Sequence, residues 1–189
     1  MVNLSNFVNT PETIFAIDAS TNSLAFSVFK NKELVYFGKI NFKGTTTYAK
    51  VLDAGKKIAP FFKTIDPIDA IVIEHTVFMN SPKTAADLAL VQGALLGASG
   101  AKEIRSVAPI TWQNYIGNKK PSKEELAKIK LDNPGRSESW IKTHVRDLRK
   151  KKTMHFVEVQ YDKVITDNDI ADAIGIGHYA VNNWERLTK

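Results

Sequence analysis

Two short apolar runs in this chain each end in a carboxylate, and that feature narrows the possible folds more than any other. TIFAID (residues 13–18) closes on Asp18, and DAIVIE (69–74) closes on Glu74. Runs of this length, rich in Ile, Val and Phe, read as buried strands. A charge at the end of such a strand is costly unless it meets solvent, a counter-ion or a ligand. A third acidic feature lies in NDIADAIGIG, where Asp169 and Asp172 open an apolar helical segment. Their spacing of three puts both on one helix face. A strand-end Asp, a strand-end Glu and an i, i+3 Asp pair are suited to converge at one edge of a sheet.

The remaining pattern supplies that sheet. Residues 24–30 and 33–42 are β-rich and separated only by Asn31-Lys32, the mark of a hairpin. Apolar residues from Tyr48 to Phe62 recur at helical spacing, so 45–64 is expected to be a helix, broken at Asp66-Pro67. Ser81-Pro82 reads as an N-cap with proline in the first turn, opening an Ala- and Leu-rich helix over 83–99. A short fifth strand is expected at 104–107 and a helix from Pro109 to Ile116. Residues 117–136 read as a polar, mobile insertion, and 137–152 as a basic helix. Residues 154–161 read as a strand or extended linker. Asp167 to Trp184 reads as the last helix, capped by Asp167 or Asn168. The order is a three-stranded meander, then helix, strand, helix, strand and helices. It predicts an α/β fold with a mixed five-stranded sheet flanked by helices. The whole chain, 1–189, is expected to be one domain, with a basic insertion around 117–152.

Carboxylates brought together repel, which raises their pKa values unless a cation intervenes. Hard oxygen donors are what Mg²⁺ and Mn²⁺ prefer. Four such groups suit two ions about 4 Å apart, the arrangement that promotes in-line attack of water at phosphorus. Each residue also has a plainer use. Asp18 can start the turn DASTNS, Glu74 can cap the following segment, and Asp169 and Asp172 both favour a helix dipole. The joint pattern is more specific than its members.

Charge points to the partner. The chain carries +6 at neutral pH with a pI near 9.4. From Lys119 to Lys152 there are twelve Lys or Arg against five Asp or Glu, a local net of +7, so one stretch holds the whole excess. Within it Lys142, Arg146, Arg149 and Lys150 share a helix face, either a phosphate-binding surface or a solvated charged face. There is no cysteine, which excludes disulfides, thiol nucleophiles and thiolate-zinc sites. No apolar run approaches the length of a membrane span, and the N-terminus lacks signal-peptide features. A cytoplasmic, non-secreted protein of a bacterium or a virus-infected cell is expected.

Three segments together resemble a known family. IDASTNSLAFSVF resembles the first strand, turn and second strand of RuvC-type Holliday-junction resolvases, which have the ribonuclease-H-like fold. IVIEHTVFMNSPKTAADLALVQGALLGA resembles their Glu-bearing strand and following helix, and DIADAIGIG their final Asp-x-x-Asp helix. The chain departs from the family in having Ala19-Ser20 where a glycine is usual, and a longer 117–136. The resemblance implies that Asp18, Glu74, Asp169 and Asp172 hold two Mg²⁺ ions, with Mn²⁺ as a substitute. It implies paired nicking of a four-way DNA junction, leaving 5′-phosphate and 3′-hydroxyl ends. It also implies a homodimer formed through residues 84–99, with Leu88, Val91, Leu95 and Leu96 in the contact, unless that helix packs only on its own sheet. Phe78 corresponds loosely to an aromatic that stacks on junction bases, or else is tucked into the core. A lysine near the metals is also implied, with Lys119, Lys120, Lys123 and Lys142 as candidates.

Other classes fit parts of this pattern. A ribonuclease-H-like nuclease cutting hybrids, flaps or other branched DNA shares the carboxylates. A non-cleaving junction-binding protein would need only the basic face. A phosphotransferase of the actin and sugar-kinase kind also ends its first strand in Asp, but needs two such domains and a later Gly-rich phosphate loop.

Overall fold

The computed structural model describes residues 10–65, 67–75 and 81–188. Five strands, β1 (Thr13–Ala19), β2 (Ser23–Lys30), β3 (Glu33–Asn41), β4 (Ala70–Glu74) and β5 (Glu103–Val107), form one sheet in the order β3-β2-β1-β4-β5. The meander β1-β2-β3 is antiparallel, and β4 and β5 add in parallel to β1, so the sheet is mixed as the sequence predicts. Asn31 and Lys32 both take positive φ (51° and 69°), giving the two-residue hairpin turn whose twist suits flanking strands.

Helices α1 (Thr47–Ile65) and α2 (Pro82–Ala98) cover one face, and α3 (Pro109–Tyr115), α5 (Glu138–Tyr161) and α6 (Asn168–Asn182) the other. Strand alternation divides the core accordingly. Phe15, Ile17, Ile71 and Ile73 pack toward Ile58, Val91 and Leu95. Ile14, Ala16, Ala70 and Val72 pack toward Ile174, Ile176 and Trp112. Asp18 continues the Ile14–Ala16 series and Glu74 the Ala70–Val72 series. Both carboxylates therefore leave the sheet on the α6 side.

Helix α6 lies close on the strands because it carries glycines where they meet it. A Cβ on Gly177 would collide with the ring of Phe29, and one on Gly175 would come within 2.7 Å of Trp112 Cζ3. Ser27 Oγ also donates to the Ala173 carbonyl, at 2.8 Å. The side-chain space that an alanine would need is thus already filled by the sheet and α3.

Two expectations are corrected. The stretch 117–136 contains a helix, α4 (Lys123–Asp132), started by a capping box between Ser122 and Glu125. None of its residues is buried, so it is set by local capping rather than by the core. Residues 154–161 are the end of α5, neither strand nor linker. Thr153 and Val157, one turn apart, are buried, while Val159 is exposed, which is a helical and not an alternating pattern. Three of the residues expected at a dimer contact, Leu88, Val91 and Leu95, are buried in the chain's own core. Leu96 packs partly against the same core.

Candidate active site

The register of the sheet builds one row of side chains. Ile17 pairs with Ile73 in the parallel ladder, so Asp18 and Glu74 follow side by side one residue later. Adjacent strands lie about 5 Å apart. On the other flank Asp18 pairs with Ala25, and Ala25 with Lys39. The row therefore reads Glu74, Asp18, Ala25, Lys39, all facing α6.

The start of α6 completes the cluster. Asp167 is its N-cap, accepting from the backbone amides of Asp169 (2.9 Å) and Ile170 (3.4 Å). Lys39 Nζ reaches across to Asp169 Oδ2 at 2.5 Å and to Asp167 at 3.0 and 3.3 Å. Burial pulls the Lys39 ammonium down, but its bonds to Asp169 and Asp167 outweigh that and leave it above the ordinary lysine value. Asp169 Oδ1 accepts from Asn168 Nδ2. Glu74 Oε1 accepts from the Trp112 indole at 2.8 Å. Gly175 leaves the room in which that indole sits.

Burial and neighbouring charge shift three of these carboxyls. Burial pushes the Asp18 carboxyl well above the usual aspartate range, and the charges of Glu74, Asp172 and Asp169 add to the effect. Burial, then the charge of Glu74, pushes Asp172 up to about 7, against a hydrogen bond from Thr153. Burial likewise raises Glu74, opposed by the Trp112 bond. Asp18 and Asp172 thus feel the charges of Glu74 and Asp169. Among the described residues, however, no three His, Asp or Glu side chains already stand where they would ligate one ion. Asp169 is drawn toward β3 by Lys39, and Glu74 is held by Trp112.

The basic residues divide. Lys119, Lys120, Lys123, Lys142 and Arg146 are exposed. Arg149, expected on the same outer face, instead turns inward to Gln113 Oε1 and the Asn118 carbonyl, tying α5 to the end of α3. Lys150 Nζ donates to Asn168 Oδ1 at 3.1 Å, and its charge reaches Asp172. Lys150 is thus a lysine of the basic helix that bonds directly beside the acidic pair. The long α5 brings it there, a consequence of the helix continuing past Lys152. Beside Asp172 a cavity of about 190 Å³ is lined by Gln113, Asn118, Arg146, Arg149, Lys150 and Thr153. Phe78 lies outside the described residues. His178 shares a hydrogen bond through Nδ1 with the Tyr161 hydroxyl and meets the rings of Phe156 and Tyr161 edge-on, a packing role.

The sequence reading missed Lys39, Trp112 and Thr153. Only Trp112 carried a signal, a large aromatic in the helix that follows β5. Its hydrogen bond to Glu74 depends on packing.

The raised Asp172 carboxyl makes a pH prediction. The folded protein holds an extra proton from about pH 4 to about 7, so this group's stabilisation is complete below pH 4 and is lost as pH rises toward 7. His178, lowered by burial, acts in the opposite sense over part of that range, so a difference between variants is needed. In the ion-free protein, Asp172→Asn should gain in melting temperature relative to wild type as pH rises from about 5 to about 7.5. A difference that stays constant with pH contradicts the burial of this carboxyl.

No protein-family model matches the chain, and no curated protein matches it in sequence. Solved structures do. RuvC of Thermus thermophilus in complex with a Holliday junction substrate aligns over 93% of this chain and 98% of its own, at 12% identity and a TM-score of 0.64. A second Thermus thermophilus RuvC structure aligns over the same shares at 14% identity and 0.62. The yeast mitochondrial Holliday junction resolvase aligns over 94% of this chain and 80% of its own, at 10% identity and 0.52. The fold is the ribonuclease-H-like architecture of RuvC, with a mixed five-stranded sheet between helices.

Proposed function

We propose that this chain is a divalent-metal-dependent endonuclease that resolves four-way DNA junctions by paired nicks, leaving 5′-phosphate and 3′-hydroxyl ends. The observation that carries the reading is the meeting of Asp18 and Glu74, neighbours on β1 and β4, with Asp169 and Asp172 on the helix above them. It occurs in a fold for which one similar structure holds a Holliday junction substrate.

The donor set fits Mg²⁺ or Mn²⁺. Its oxygens are hard and anionic, and they repel one another when no ion is present. Asp18, Glu74, Asp169 and Asp172 are the residues assigned to hold the metal. Bound there, two ions would supply an activated water and neutralise charge on the phosphate during in-line attack. The protein's own groups set up that chemistry. The Trp112 indole fixes one oxygen of Glu74. Thr153 lines the same cavity as Asp172. Lys150, beside Asn168 and Asp172, supplies a fixed positive charge where a phosphodiester would approach. Lys142, Arg146 and the exposed Lys119, Lys120 and Lys123 extend a basic surface for the flanking backbone, in a single domain whose 117–152 segment is the basic insertion.

Two active sites are needed for paired nicks, and α2 offers a surface for a homodimer different from the one expected. Its exposed positions Ala86, Ala89, Leu90, Gly93 and Gly97 carry no charge and lie along one side of the helix. Gly93 and Gly97 have open space where a Cβ would be, which suits close approach of a second helix. Leu90 is 46% exposed, a large apolar group without cover in one chain.

The test is nicking of synthetic four-way, Y-shaped, hybrid and linear substrates in Mg²⁺. Symmetric paired nicks on the four-way form are expected. Asp18→Asn should abolish cleavage and retain junction binding, while Lys142→Ala with Arg146→Ala should weaken binding and flatten its salt dependence. Cleavage by Asp18→Asn at the wild-type rate would overturn the site assignment, and equal cleavage of every substrate would overturn the junction preference.

A separate outcome follows for the dimer. Leu90→Arg should shift the protein from dimer to monomer in analytical ultracentrifugation without lowering its melting temperature. An unchanged sedimentation coefficient would remove α2 from the interface.

A further inference from the structure

The row of side chains across the sheet contains a cation as well as two carboxylates. Lys39 belongs to that row because of a register shift in the outer hairpin. From the turn, Lys30 pairs with Glu33 and Phe29 with Leu34, but Val28 then pairs with Tyr36, leaving Val35 as an extra residue. A bulge of this kind moves every later residue of the strand to the opposite face. Without it Ala25 would face Gly38, and Lys39 would point to the α1 side. With it, Lys39 stands opposite Ala25, whose small side chain leaves the path to α6 open.

The ammonium ends where one carboxylate would have to give an oxygen to an ion. Lys39 Nζ is 2.5 Å from Asp169 Oδ2, and Asn168 takes Oδ1, so both oxygens of Asp169 are engaged inside the protein. Asp167 is engaged as well, by the same lysine and by two backbone amides. Asp18, Glu74 and Asp172 differ. Among the described residues none of them is in an ion pair, and burial raises all three.

We propose that Lys39 is a built-in counter-cation that competes with a divalent ion for Asp169, so that the second ion joins the site only as the lysine withdraws. The inference rests on the metal-site reading above. A monovalent ammonium and a divalent ion cannot share the same oxygen lone pairs at close range, and each neutralises the charge the other needs. A long, flexible lysine is suited to this role because its head can move several ångströms without moving β3. It stabilises the first turn of α6 while the site holds no ion and makes filling of the second position depend on ion concentration. Asp18, Glu74 and Asp172 are outside the lysine's reach, so the first ion does not have to displace it.

The experiment is calorimetric titration of the full chain with Mn²⁺, without DNA, for wild type, Lys39→Met, Lys39→Arg and Asp18→Asn. Lys39→Met should tighten the weaker Mn²⁺ binding event at least tenfold and lower the melting temperature of the ion-free protein. Lys39→Arg, which keeps the charge, should stay within about threefold of wild type on the same scale. A lysine that serves only as a structural strut would lower the melting temperature and leave Mn²⁺ affinity unchanged or weaker, and that result overturns the proposal. Binding by wild type that Asp18→Asn removes, with Lys39→Met equal to wild type, overturns the role of Lys39 alone. No Mn²⁺ binding by any variant overturns the metal-site reading and this proposal together.

Discussion

Four carboxyl groups, two at strand ends and two on a helix, are held at one edge of the sheet against their mutual repulsion. The core does this holding. Ile14, Ala16, Ala70 and Val72 bury one face of β1 and β4 under α6, and the alternation of the strands leaves Asp18 and Glu74 no other direction to point. The shifted carboxyl groups record the cost, since burial is the largest cause at Asp18, Glu74 and Asp172 alike. A protein gains nothing in stability from such a cluster. Shifted carboxyls gathered at one place mark a candidate functional site, and the proposed role of metal and of Lys39 supplies the charge that the cluster lacks.

The closeness of α6 to the sheet follows from the same constraint. The helix must lie low enough for Asp169 and Asp172 to reach the strand ends. Gly177 lets it rest against Phe29, and Gly175 admits Trp112. Trp112 is buried and spends its one polar atom on Glu74. Glycine, tryptophan and glutamate thus form a chain in which helix packing fixes the orientation of a site carboxylate. Arg149 acts in a similar way on the other flank. Its contacts with Gln113 and Asn118 hold α5 against α3, and the next residue, Lys150, is thereby kept beside the acidic pair. Arg149, which by its spacing belongs to the basic face, braces α5 against α3.

Legibility in the sequence followed the range of the interactions. The strands, the hairpin turn and the Asp167 cap rest on local pattern and were readable, as was the pairing of Asp169 with Asp172. Asp18 and Glu74 were readable because a charge at the end of an apolar strand is anomalous wherever it occurs. The capping box of α4 was also present in the sequence, but a polar, lysine-rich setting concealed it. The C-terminal half of α5 was misread because Phe156, Val157, Val159 and Tyr161 imitate alternation over eight residues. Only its packing on α6 shows which of them are buried. Lys39 was out of reach for a different reason. A single extra residue, Val35, decides which face it takes, and a bulge leaves no mark in composition or periodicity. The exposed small-residue strip of α2 was likewise hidden, since the sequence shows a helix apolar nearly all round and not which side the sheet covers.

The central claim is that these carboxylates share divalent ions. Anomalous diffraction at the manganese edge from crystals grown or soaked in Mn²⁺ tests it most directly. The account predicts a peak at about 2 Å from a carboxyl oxygen of Asp18, in contact also with Glu74 or with Asp172. Fully ordered side chains with no anomalous peak at Asp18, in crystals where manganese is bound elsewhere or not at all, would contradict it.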